Sequence, residues 1–231
     1  MIVVTGAGRC GSSMLMQTLY HLGVPMFGDP LSGEHNTLAP LDPTGIYARQ
    51  IREKNPNGYW ELDIEFVLDS VKKPFGMNGA GKALKALAAT FPSIPKRNID
   101  LAILCLRRDR NKQAQSMHEL IQLEGKIADD SEQDLGHIGE RIKAIQHWTV
   151  DDVRRNQNLA LGVITKKLTE ESILTHTVYF EDMKKKPKEE IESLVSSLNL
   201  SQRLYNLAEQ ETFCPKYSKK KIKRAIKNII K

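Results

Sequence analysis

The sequence predicts an α/β protein of three layers, with a central parallel sheet held between helices. Three observations carry that expectation. Two apolar runs without polar alternation, "IVVT" at 2–5 and "DLAILCLRRD" at 100–109, read as strands buried on both faces, as parallel strands are. Each run leads into a stretch whose apolar residues recur at helical spacing. Strands and helices then alternate along the chain, the order of a parallel sheet built from crossover units.

The elements follow in order. The first run stops at Gly6, and after the loop "GAGRCGSS" a helix is expected, with Met14, Leu15, Leu19 and Leu22 on its apolar face and Gly23 as its stop. "VPMF", 24–27, fits a short second strand. Residues 28–60 are rich in Pro, Gly and Asn, which is the composition of a functional loop or lid or of a disordered segment. "ELDIEFVLDSV" places Leu62, Phe66 and Val67 on one helical face, and "GKALKALAATF", 81–91, is expected as a further helix. The strand at 100–109 precedes a helix over about 112–123, and two more helical segments across 134–168 meet near Thr149. "HTVYFEDM" is a late strand, and "KPKEEIESLVSSLNL" an amphipathic helix presenting Ile191, Leu194, Val195 and Leu198. Residues 216–231 form a basic amphipathic helix in this reading, either docked on the sheet or laid on an acidic surface. Neither repeats nor linkers divide the sequence, so residues 1–231 are expected to be a single domain.

Composition narrows the function. A hydrophobic fraction of 40% and a charged fraction of 27% are ordinary for a soluble globular chain. No apolar run has the length of a membrane span, and no signal segment is visible, so the expectation is a cytoplasmic protein. Cys10, Cys105 and Cys214 have no metal-site spacing and suit a reducing compartment. No metal is expected. Of the net +6, the residues from Lys216 onward carry +8, which leaves the rest at about −2. A near-neutral body argues against nucleic acid as the partner.

The chemistry sits in the first loop. A strand–loop–helix unit offers backbone N–H groups and the positive end of a helix dipole to an anion, and Arg9, Ser12 and Ser13 add a charge and two hydroxyls. Gly6, Gly8 and Gly11 satisfy the dinucleotide pattern, yet the acid expected about twenty residues later would be Asp29, after a stretch broken by Pro25. Gly6 and Gly11 have the spacing of a nucleotide-kinase loop, with Ser12 in place of its lysine. A thiol phosphatase would need an Arg six residues after Cys10, where Met16 stands.

"GAGRCGSS" resembles the 5′-phosphosulfate loop of sulfotransferases that use 3′-phosphoadenosine 5′-phosphosulfate (PAPS). Gly8, Arg9, Cys10, Gly11, Ser12 and Ser13 match its basic residue, glycine and paired hydroxyls. In that family a strand ending in Arg, with a Ser eight positions on, holds the 3′-phosphate; "LCLRRDRNKQAQS" supplies Arg108 and Ser116, with Arg107 as the alternative arginine. "VYFEDMKKKPKEEIESLVSSLNL" is similar to the family's late strand, Glu-Asp pair and helix. "NPNGYWELDIEFVLDS" resembles a Gly-Tyr-aromatic-Glu element of a bacterial subgroup. The matches run in the family's order. The chain departs from it in having Arg110 where a Pro usually follows the 3′-phosphate arginine, and in lacking the Arg-Lys-Gly loop near the C-terminus.

The resemblance implies a P-loop NTPase-like sulfotransferase fold, PAPS as co-substrate, and in-line transfer of a sulfuryl group to a hydroxyl or amine of a small molecule or glycan. Arg9 and the loop amides would stabilise charge on the sulfuryl and leaving oxygens. Glu61 is the candidate base, with Asp63 and His35 as alternatives. The competing functions are a nucleotide kinase-like phosphotransferase and a non-catalytic nucleotide-binding protein on the same scaffold.

Overall fold

The computed structural model describes residues 1–27, 81–130 and 136–198. The expected lid at 28–60, the helix expected from 61 and the basic tail helix lie outside these residues.

Among the described residues four parallel strands form one sheet in the order β2-β1-β3-β4. β1 (Ile2–Thr5) is buried along its whole length, as its unbroken apolar run requires. β3 (Leu101–Leu106) lies beside it in register from Ile2 opposite Leu101 to Thr5 opposite Leu104. β4 (Thr175–Tyr179) pairs with β3 and turns only Val178 fully inward.

β2 (Ala83–Lys85) corrects the sequence reading, which places a helix over 81–91. Alanine, leucine and lysine favour helix intrinsically, but that preference is weak against tertiary pairing. Here the backbone is claimed from both sides. Ile2 donates to the Lys82 carbonyl at 2.8 Å and Ala86 to Val4 at 2.9 Å. On the other flank Phe27 donates to Ala83 at 2.8 Å, and Ala83 to Pro25 at 2.7 Å. The "VPMF" segment is thus a single parallel bridge, Met26 to Ala83, rather than a full strand. It lies beyond β2, so the chain leaving α1 (Ser12–His21) skips a place instead of returning beside β1.

The remaining helices are α2 (Arg110–Asp130), α3 (Gly136–Ile145), α4 (Val150–Glu170), α5 (Phe180–Lys185) and α6 (Pro187–Ser197). α2 extends past the expected 123. Thr149 closes a capping box on α4: its hydroxyl accepts from the Asp152 N–H at 3.2 Å, while Asp152 accepts from the Thr149 N–H at 3.0 Å.

Alternate residues of each strand feed opposite cores. Ile2, Val4, Ile103 and Cys105 pack with α1 and α6 through Leu15, Leu19 and Leu194. Val3, Ala102 and Leu104 pack on the other face with Phe91, Ile94 and Ile164 of α4. Helices therefore cover both faces, and the connections after β1 and β3 run to opposite sides. Such a switch opens a crevice at the C-terminal ends of the two strands. Among the described residues no helix is long and apolar enough to cross a membrane.

Candidate functional site

The loop from Gly6 to Gly11 occupies that crevice. Gly6 is required by space: a Cβ there would lie 2.6 Å from both Cys10 Sγ and the Cys105 carbonyl oxygen. Gly11 has φ 100° and opens α1 with no side-chain cap. The first intrahelical bond is Leu15 N–H to the Gly11 carbonyl at 3.1 Å, so the first turn presents amides to the crevice without helical partners.

Arg9 adopts φ 63°, a left-handed conformation that costs a non-glycine residue about 1–2 kcal/mol. Its Nε donates to Ser116 Oγ at 3.1 Å. The two sequence-predicted motifs, the loop and the Ser on the helix after β3, therefore meet. Ser12 and Ser13 are both buried at the start of α1. The Cys10 N–H is spent within the loop, on Ala7 at 3.2 Å. Its thiol lies in the core beside Cys105. The hydrogen bond from the Cys105 thiol is the main influence drawing Cys10 down to about 7, against burial and with help from Ser12 and the Lys85 charge. As donor in that bond, and buried, Cys105 is pushed well above its ordinary value.

Three side chains that sequence reasoning did not single out complete the site. Lys85, at the C-terminal end of β2, is only 5% exposed and donates from Nζ to Ser13 Oγ at 3.2 Å. Reading 81–91 as a helix concealed it, because a lysine there passes for a solvated face. Gln113 and Gln157 reach the loop from α2 and α4 and bond its backbone. A glutamine within a helical segment carries no signal by type or spacing.

Arg107 and Arg108, at the end of β3, face the acids opening α5. Arg108 is largely exposed, bonds Asp182 at 2.7 Å and stacks over Tyr179 at 4.0 Å. Arg107 lies over Phe180 at 4.8 Å, and its buried Nε approaches Glu181 at 3.5 Å with no hydrogen bond among the described residues. Phe180 in turn fills the space over Gly11. Glu61, Asp63 and His35 lie outside the described residues.

These contacts set a pH dependence. The hydrogen bond from Arg108 holds the Asp182 carboxyl below its ordinary value, and the Thr149 hydroxyl does the same for Asp152. The unfolded chain takes up these protons first, so both contributions are present above about pH 4 and lost below it. Burial holds His176 below its ordinary 6.5, which also favours the unfolded chain as pH falls. The thermal midpoint is expected to decline below about pH 6.5 and further below about 4. A midpoint unchanged down to pH 3 would contradict these assignments.

No protein-family model matches the chain, and no curated protein matches it.

Proposed function

We propose that the chain is a sulfotransferase that takes the sulfuryl group of PAPS to an acceptor hydroxyl or amine. The observation that carries the reading is the Arg9–Ser116 hydrogen bond, which joins residues 107 positions apart at the end of β1 and on the helix after β3. The strand order adds support. In a dinucleotide-binding sheet the segment after the first helix returns beside β1, whereas here that place is taken by β2. A kinase-like site would want an acid for magnesium at the end of β3, where Arg107 and Arg108 stand.

In the proposed reaction the acceptor oxygen or nitrogen attacks sulfur as the bond to the bridging phosphate oxygen breaks. 3′-Phosphoadenosine 5′-phosphate departs with that electron pair, and the acceptor's proton passes to the base, assigned to Glu61. Arg9, Lys85 and the first-turn amides of α1 stabilise the charge gathering on the leaving oxygen. Ser116 takes the 3′-phosphate together with one of the arginines. Either arginine would have to leave an acid of α5 to do so, Arg108 from Asp182 at 2.7 Å and Arg107 from Glu181 at 3.5 Å.

Calorimetric titration with 3′-phosphoadenosine 5′-phosphate, alongside AMP, ATP and NAD, tests the reading. Micromolar binding of the bisphosphate and much weaker binding of AMP are the expected result. A preference for ATP or NAD, or no binding, would overturn it.

A further inference from the structure

Gln113 and Gln157 converge on one backbone oxygen. Each donates from Nε2 to the Gly8 carbonyl at 2.9 Å, and Gln113 also approaches the Ala7 carbonyl at 3.4 Å. Gln113 is fully buried and Gln157 nearly so. Facing carbonyl oxygens, only the amide nitrogen of either side chain fits. For Gln113 the orientation is fixed further by Arg110, whose Nη1 donates to its Oε1 at 3.1 Å. Two buried amides on one carbonyl fill both of its lone pairs, more than burial alone demands of a loop.

A peptide unit is planar and trans, so its carbonyl and the following N–H point in opposite directions. Tying the Gly8 oxygen toward α2 and α4 sends the Arg9 N–H the other way, and the Ala7 oxygen does the same for the Gly8 N–H. We propose that Gln113 and Gln157 are positioning residues that hold these two peptide planes so that the Gly8 and Arg9 amides face the bound anion. The proposal rests on the loop being the anion site. Released from its clamp, a glycine-flanked plane rotates easily. A rotated 8–9 plane offers an oxygen where the anion needs a donor, so affinity is lost although no group touching the ligand has changed.

The test uses the full chain, 3′-phosphoadenosine 5′-phosphate as probe, and the variants Gln157→Met and Gln157→Glu. Gln157→Met is expected to bind the probe about tenfold more weakly. Gln157→Glu supplies a distinguishing signature. Its carboxylate repels the Gly8 oxygen at pH 8, but once protonated it donates as the amide did. The affinity of this variant relative to wild type at the same pH is therefore expected to recover about tenfold between pH 8 and pH 5.5. A ratio flat with pH, or a Gln157→Met protein of wild-type affinity, overturns the clamp. If the Gln157 variants do not fold, Gln113→Met takes the affinity measurement, with the same tenfold loss expected and wild-type affinity overturning the clamp. If wild type itself binds no probe, the anion-site reading falls. The crystal structure of the Gln113→Met, Gln157→Met double variant then decides the clamp separately: a rotated 8–9 peptide upholds it and an unmoved one overturns it.

Discussion

If the chain performs the proposed sulfuryl transfer, replacing Lys85 with methionine is expected to lower its rate at least about a hundredfold while leaving the thermal midpoint within a few degrees of wild type. The two halves of that expectation have separate causes. The ammonium is buried at the end of β2 and directed at Ser13, in the first turn of α1. In such a setting a charge acts on a developing oxyanion far more strongly than it would in water. The same burial means that the lysine is held at a desolvation cost, and methionine of similar length fills the space without it. Single-turnover transfer and scanning calorimetry on the same preparations check both halves. Undiminished transfer would remove Lys85 from the chemistry, and a midpoint lower by more than about 10 °C would make its role structural.

Gly11→Ala is expected to cost about 2–4 kcal/mol of stability, a midpoint drop on the order of 5–12 °C. Two penalties add. A φ of 100° is strained for any residue with a Cβ, and that Cβ would lie 2.5 Å from Phe180 Cδ2. Since the Phe180 ring also carries the Arg107 guanidinium, its displacement reaches both ends of the crevice. Adding Phe180→Ala to the Gly11→Ala protein relieves the collision but not the backbone strain. Denaturant unfolding of the two single variants and the pair is therefore expected to show favourable coupling. Stability of Gly11→Ala within about 0.5 kcal/mol of wild type would contradict the geometry.

The parts of the fold written as runs were legible. "IVVT" and "LAILCL" are short apolar runs of strand length and are buried strands, and the loop with its following helix announces itself by glycine spacing and apolar recurrence. β2 was not legible, because three residues without a β-branched side chain carry no strand signal; the hydrogen bonds that make it a strand come from segments distant in sequence. The site divides in the same way. Arg9 and Ser116 were named from separate motifs and meet in space, but the contact joins them to each other, while Arg108 pairs with Asp182. Lys85, Gln113 and Gln157 act through where the sheet and helices carry them, which no local spacing encodes.

The partners of the loop lie far along the chain: Ser116 is 107 residues from Arg9, and Gln157 is 149 residues from Gly8. A growing polypeptide thus holds the glycine loop long before it could hold the proposed anion, since the Gln157 contact with Gly8 needs α4 to be made and packed. Contacts of such long range carry a large loop-closure cost, and a late place for them in folding is the expectation. An anion gripped by them would stabilise the finished protein more than its transition state, so under the proposed function its presence is expected to slow unfolding and do little to hasten folding.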